Sequence, residues 1–216
     1  MQVAVVLYPG FTSMDVIGPY EVLGRLPGAE VVFVAEDPGR VRNDLESLTV
    51  DVHARLDDVP RPDVVLIGGG PGAAGQLADG PLHEWLRAVD ATSAWTTSVC
   101  TGSLILAAAG LLTGRRATSH WGALEDLAAL GAVPVQERVV FDGHYVTGAG
   151  VSAGVDMALT LSGRLAGDEV AQAVQLIIEY APQPPYEAGS VQTAPAGILE
   201  RANQMLAPES ATAGEA

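Results

Sequence analysis

The chain is poor in the residues that build disulfides and metal centres. It contains one cysteine, Cys100, in 216 residues. No disulfide can therefore form within it, and a reducing compartment such as the cytoplasm is expected. The histidines have no HxxxH spacing and no CxxC pair accompanies them, so the common zinc motifs are excluded and no metal site is expected. The four histidines are His53, His83, His120 and His144.

Basic residues and long hydrophobic runs are also scarce. Lys and Arg together number 11 against 26 Asp and Glu, a formal net charge of −15. Nucleic acid and membrane are therefore disfavoured as partners, because both are bound through positive charge. The longest apolar run, residues 104–112, falls far short of the roughly 20 residues of a membrane-spanning helix. The opening MQVAVVLYPGF lacks a basic leader and a cleavage site, so no signal peptide is expected.

What the chain does contain is a regular alternation of short apolar runs and helix-like segments. Hydrophobic residues make up 48% of it, enough for a substantial core. This alternation predicts an α/β fold, a mostly parallel central sheet with helices on both faces. Four apolar runs indicate buried strands: residues 2–8, 30–35, 63–68 and 94–99.

Composition also suggests where the domain ends. We expect a single α/β domain over residues 1–181. A Pro-rich segment and a weak helix over 182–206 are expected to form a C-terminal extension that packs on the domain or on a dimer. The acid-rich end, residues 207–216, is expected to be disordered.

Cys100 lies between a strand-like run and a helix-like run, in the stretch WTTSVCTGS. Sites in parallel sheets form at the carboxyl ends of the strands, and a sharp strand-to-helix turn projects its side chain over that edge. The first amides of the next helix are expected to stabilise a thiolate and lower the thiol pKa. Gly102 and Ser103 are small enough to let this helix pack close to the strand. A reactive thiol is favoured, and an inert buried cysteine is the alternative.

Two other turns are expected at the same edge of the sheet. The turn GGGPG, residues 68–72, has no phosphate-loop pattern. Its glycines either make a tight turn or, at Gly69 and Gly70, offer backbone N–H donors to a developing charge. Asp15 lies near a helix start. Its carboxylate either interacts favourably with the positive end of the helix dipole or faces a pocket beside Cys100. In that pocket its pKa would rise, and it would exchange protons with the substrate.

The remaining polar candidates are histidines. His120, in ATSHWG, is a candidate base for Cys100, although lone histidines more often have structural roles. We assign it to the lining of the site, together with Ile17, Trp121 and Val151. The other two histidines near candidate elements, His83 on a surface helix and His144 in a hairpin turn, are expected to be solvated.

Four stretches together resemble the ThiJ/PfpI family, within the class I glutamine-amidotransferase-like superfamily. They cover about residues 2–180, and the resemblance implies a flavodoxin-like fold and a homodimer. Asp15 followed by Cys100–Thr101–Gly102 is similar to the isonitrile hydratase branch. Protease-like members carry His directly after the nucleophile, whereas this chain has Thr101, which argues against peptidase activity. The four stretches are VAVVLYPGFTSMDVIGPYEVL, DVVLIGGGPG, SVCTGSLILAAAGLLTGRRATSHW and GAGVSAGVDMAL.

The resemblance implies hydration of a small neutral isonitrile to an N-substituted formamide, without a metal or organic cofactor. Cys100 would attack the isonitrile carbon to form a thioimidate, with Asp15 as general acid and then general base. Thr101 would orient Asp15 or water, and the amides of Gly69, Gly70 and Thr101 would stabilise charge. Two alternatives stay open: glyoxalase-like attack of the thiol on a dicarbonyl, and a redox-sensing or small-molecule-binding protein without catalysis.

Overall fold

The central sheet is built from runs that are apolar on both faces. The segment VVLI is buried at all four positions, as expected of an inner parallel strand. In the computed structural model, which describes residues 1–206, the strands are β1 Gln2–Val6, β2 Glu30–Ala35, β3 Gly39–Arg42, β4 Thr49–Val52, β5 Ala54–Arg55, β6 Val64–Ile67, β7 Trp95–Val99, β8 Arg116–Ala117, β9 Val133–Pro134, β10 Val139–Asp142 and β11 Tyr145–Gly148.

Seven of these strands form one sheet in the order β10-β11-β7-β6-β1-β2-β5. Only β10 runs antiparallel to its neighbour within this sheet. The strands β3 and β4 form a separate antiparallel hairpin, and β8 pairs with β9. Because β7, β6 and β1 are adjacent and parallel, the turns that follow them meet at one edge of the sheet. The turns after β1, β6 and β7 therefore lie next to one another, as the sequence predicts.

Two groups of helices flank the sheet, which confirms the predicted fold class. In one group α1 packs against α5 and α5 against α6, and in the other α3 contacts α2 and α4. The first helix begins at Ser13 and ends at Leu23, so Asp15 lies in its first turn. The helices are α1 Ser13–Leu23, α2 Pro81–Asp90, α3 Gly102–Ala108, α4 Leu124–Ala129, α5 Ala153–Ala166, α6 Asp168–Ile177 and α7 Ile198–Leu206.

The solvated position predicted for His83 is wrong. Its helix α2 forms as expected, but the residue is only 1% exposed and neither ring nitrogen has a hydrogen-bond partner of regular geometry. His83 lies one helical turn from Leu86, which belongs to the buried face. Burial lowers the pKa of His83, so the imidazole is held neutral. His144 is more exposed, and its Nε2 lies 3.0 Å from Asp90 Oδ1.

The described residues fall into two units, Met1–Tyr180 and a C-terminal unit that begins at Ala181. The second unit contains the helix α7. Its packing on the domain or on a dimer stays a prediction, and the predicted disordered tail lies outside the described residues. No helix within residues 1–206 is both long and apolar enough to cross a membrane.

Candidate active site

Cys100 occupies a strained turn between β7 and α3. Its φ of 58° lies in the left-handed region, which residues other than glycine rarely adopt. Its N–H donates to the carbonyls of Gly148 and Ala149 at 3.1 and 2.9 Å. Its carbonyl accepts from the hydroxyls of Ser103 and Ser119 at 3.0 and 2.9 Å. These four bonds hold the backbone in a conformation that it would not adopt alone.

The helix after Cys100 begins in close contact with the end of β6. A Cβ added to Gly102 would lie 2.4 Å from the carbonyl oxygen of Ile67 and 2.8 Å from that of Gly68. No larger residue fits there without moving the backbone. This agrees with the expectation that small residues after the cysteine allow close packing, and it brings the turn after β6 beside the thiol.

Asp15 stands in the first turn of α1 and is completely buried. Its Oδ2 accepts the N–H of Gly69 at 2.8 Å, while its Oδ1 is buried without a hydrogen-bond partner of regular geometry. Burial raises the pKa of Asp15 to about 6, opposed by the bond from Gly69 and by a hydrogen bond with the Cys100 thiol. The negative charge of Asp44 raises it further. The predicted rise of this pKa is therefore confirmed.

The opposite expectation for Cys100, a lowered thiol pKa, is wrong. Burial, and then the negative charge of Asp15, raise the pKa of Cys100 to about 12. The amides of Val151 and Thr101 act in the other direction through hydrogen bonds to the sulfur, but they do not outweigh burial at 5% exposure. With Asp15 near 6 and Cys100 near 12, the pair holds one proton at neutral pH, and that proton rests on the sulfur.

Val151 supplies a backbone donor where only a lining side chain was expected. It follows β11, has a φ of 21°, and directs its N–H to the sulfur of Cys100. A non-glycine residue with positive φ costs on the order of 1 to 3 kcal/mol. The one sequence signal was the glycine-containing stretch GAGVSAG that follows the strand, which indicates an unusual backbone but no partner for it.

The glycine turn holds the site together instead of offering free donors. The N–H of Gly69 is occupied by Asp15, and the N–H of Gly70 donates to the Thr101 hydroxyl at 2.9 Å. Neither is open to a developing oxyanion, contrary to the expectation for both glycines. The Thr101 hydroxyl likewise contacts Gly70, with 3.3 Å to its carbonyl, and not Asp15. The turn lies so close to Thr101 that only glycine fits at position 69, because a Cβ on Gly69 would lie only 2.4 Å from the Thr101 nitrogen.

Within residues 1–206, His120, Trp121 and Ile17 make no hydrogen bond and no ring contact with Asp15 or Cys100. The Nδ1 of His120 accepts the N–H of Gly122 at 3.2 Å, which leaves the proton of the neutral ring on Nε2. Its ring packs so closely on Gly150 that a Cβ there would meet it at 2.9 Å. The interactions that shift the Cys100 pKa do not include His120. Trp121 stacks obliquely on His120, and Ile17 is half-buried against the core.

Tyr8 contacts the turn after β6 and is also one of the residues that line a cavity. Its hydroxyl donates to the carbonyl of Gly68 at 2.7 Å, and burial, followed by the negative charge of Asp15, raises its pKa. A cavity of about 360 Å³ opens beside Tyr8, between the ends of β1 and β2 and the β3–β4 hairpin. Within residues 1–206, no group of three or more His, Cys, Asp and Glu side chains is placed to hold a metal ion.

The fold and this site define an α/β protein with a cysteine in a strained strand-to-helix turn beside a buried carboxyl group. The chain belongs to the DJ-1/PfpI family, whose model matches residues 1–163.

Its relatives include an isonitrile hydratase of Pseudomonas putida, 42% identical over 208 residues, or 96% of this chain and 91% of that protein. A crystal structure of a ThiJ/PfpI family protein from Pseudomonas syringae has a TM-score of 0.92 at 39% identity, covering 95% of this chain and 86% of that one. A deglycase of Pyrococcus abyssi is 30% identical over 68% of this chain and 89% of that protein.

Proposed function

We propose that the protein hydrates an isonitrile to an N-substituted formamide. The observation that carries the proposal is the contact between two buried groups, the carboxyl group of Asp15 and the thiol of Cys100, which are hydrogen-bonded to each other. An isonitrile takes up a nucleophile and a proton at the same terminal carbon, so a buried pair that holds one of each suits it. The identity to the hydratase of Pseudomonas putida over nearly the whole chain supports the same reaction.

The first step is addition of the thiol across the terminal carbon. The proton passes from the sulfur of Cys100 to the carboxylate of Asp15, and from there to the isonitrile carbon. The sulfur forms its bond to that same carbon, so the product is a thioimidate, R–N=CH–S–Cys100. The amides of Thr101 and Val151, which already bond the sulfur, stabilise the charge that develops there during transfer.

The second step consumes one water molecule. Asp15, again a carboxylate, takes a proton from water while the hydroxide adds to the thioimidate carbon, and Asp15 then passes that proton to the nitrogen, which gives R–NH–CH(OH)–S–Cys100. The C–S bond then breaks while Asp15 takes the hydroxyl proton, the formamide R–NH–CHO leaves, and the sulfur receives that proton from Asp15. Atoms and charge balance without an external acid or base, and the pair returns to its starting state.

The direct test is incubation with cyclohexyl isocyanide while N-cyclohexylformamide is followed by chromatography. We expect turnover by the native protein and its loss in Cys100→Ala and Asp15→Asn. Glu21→Gln is the matched control, since Glu21 is an acid on the same helix that is partly exposed and paired with Arg25. Absence of formamide with the native protein, or full turnover by Cys100→Ala, contradicts the proposal.

A dicarbonyl substrate is the second candidate, favoured by the identity to the deglycase of Pyrococcus abyssi. The same preparations incubated with methylglyoxal decide between the two: consumption that depends on Cys100 without isonitrile turnover supports the alternative. If neither substrate is turned over, ready oxidation of Cys100 by mild peroxide supports a redox sensor. The homodimer stays a prediction, and light scattering of the purified chain measures it.

A further inference from the structure

The loop between β3 and β4 is hydrogen-bonded to the residues at the start of α1. The hydroxyl of Thr12 donates to Asp44 Oδ2 at 2.6 Å. The N–H of Asp44 donates to the carbonyl of Phe11 at 2.9 Å, and the side-chain amide of Asn43 donates to the Ser13 hydroxyl at 2.9 Å. Asn43 is only 4% exposed, so its contact with the start of α1 is buried within the domain.

Thr12 is the residue that precedes the helix, yet its hydroxyl does not cap it. A threonine in this position ordinarily accepts a hydrogen bond from the first turn, but here the hydroxyl makes no such bond and donates to Asp44. The N–H of Thr12 donates to the carbonyl of Gly69 at 2.8 Å, and the N–H of Gly69 donates to Asp15. A continuous hydrogen-bonded chain therefore runs from Asp44 to the carboxylate of Asp15.

Charge links the same residues. Three groups on three other segments interact electrostatically with Asp15: the Cys100 thiol, the Tyr8 hydroxyl and the Asp44 carboxylate. Asp44 is the one carboxylate among them. After burial, which has the largest effect, its negative charge acts in the same direction and raises the pKa of Asp15.

We propose that Asp44 is a positioning residue for Asp15: through the hydroxyl of Thr12 it fixes the first turn of α1, in which Asp15 stands. The inference rests on the proposed function for the catalytic meaning of Asp15. The effect of the Asp44 carboxylate on the Asp15 carboxyl group can be measured by titration, without any isonitrile.

The experiment is an NMR titration of the Asp15 carboxyl carbon in protein labelled with ¹³C-aspartate, assigned by its loss in Asp15→Asn. Asp44→Asn removes the charge and keeps one acceptor oxygen. Thr12→Val removes the hydrogen bond and keeps the charge. Asp51→Asn removes another acid of the same hairpin, one that is exposed and pairs with Arg40, and it controls for net charge.

We expect the midpoint of Asp15 to fall by about half a pH unit in Asp44→Asn, as for a like charge that is secondary to burial. The midpoint should not move in Thr12→Val or Asp51→Asn. The acid limb of kcat/KM for cyclohexyl isocyanide should shift with it, and Thr12→Val should lower kcat several-fold with KM unchanged.

An unchanged midpoint in Asp44→Asn overturns the proposal, and so does an equal shift in Thr12→Val or Asp51→Asn. Circular dichroism establishes that each variant is folded. If the midpoint moves as expected but no isonitrile is hydrated, the proposed function fails and the role of Asp44 stands.

Discussion

The free energy of unfolding of Asp15→Asn, compared with that of the native protein, should be larger at neutral pH than in acid. Asn keeps the shape of the side chain and one oxygen to accept the N–H of Gly69. Burial has raised the pKa of Asp15 from its ordinary value of 3.8 to about 6. At 1.36 kcal/mol per pKa unit, this difference corresponds to about 3 kcal/mol.

The sign follows from the proton that the folded state holds more tightly. The stabilisation from that proton is fully present below pH 3.8 and is lost as the pH rises through about 6. The native protein should therefore lose about 2.5 kcal/mol relative to Asp15→Asn between pH 4 and pH 8, because part of the difference has already been lost at pH 4. The new amide NH₂ replaces the unpartnered Oδ1, and its cost of about 1 to 3 kcal/mol does not depend on pH.

Urea unfolding of both proteins at one-unit steps from pH 4 to pH 8 measures this difference. The informative quantity is the change with pH in the gap between the two unfolding free energies. Glu21→Gln is the control, because it removes an acid of the same helix that is 45% exposed. A gap between native protein and Asp15→Asn that is equal at pH 4 and pH 8 would refute the argument that burial holds a proton on Asp15.

Three further outcomes follow from the same geometry. The kcat/KM for isonitrile hydration should rise with pH through about 6, where Asp15 ionises, and then stay level to the alkaline limit of stability. A bell-shaped pH profile with its maximum below pH 6 would contradict the requirement for an ionised Asp15. Gly69→Ala should lose most activity, because the added Cβ would lie 2.4 Å from the Thr101 nitrogen. In the control Gly75→Ala the added Cβ has open space, so this variant should retain its activity. Equal activities of the two variants would argue against the tight turn. Thr101→Val should lower the free energy of unfolding by about 1 to 3 kcal/mol, because the N–H of Gly70 loses its acceptor, and Thr101→Ser should restore it in the same urea assay.

The architecture could be predicted because each element carries its own signal. The strand β6 is four consecutive apolar residues, and the helix α2 has the spacing of an amphipathic helix started by Pro81. The sharp turn at Cys100 could also be predicted from the sequence, because the chain has to turn sharply where a strand at the sheet edge is followed directly by a helix. The position of His83 was available as well, since its spacing from Leu86 places both on the buried face.

The electrostatics of the site could not be predicted, because they depend on residues far apart in the chain. The helix amides after Cys100 act on the sulfur as expected, but the direction of its pKa is decided by burial and by Asp15, which lies 85 positions earlier. The amide of Val151 reaches the same sulfur from the turn after β11. Asp44 acts on Asp15 from a hairpin whose sequence has no catalytic signature.

The occupied glycine donors bear on which reaction the site favours. Attack on a carbonyl, as in acyl transfer, builds negative charge on an oxygen and needs free N–H groups directed at it. At this turn Gly69 and Gly70 have already committed theirs to Asp15 and Thr101. Addition of a thiol to an isonitrile carbon builds no oxyanion in its first step, because the proton is delivered to the carbon that the sulfur attacks. A site whose donors lock a carboxylate in place beside a neutral thiol is therefore better matched to isonitrile hydration than to acyl transfer.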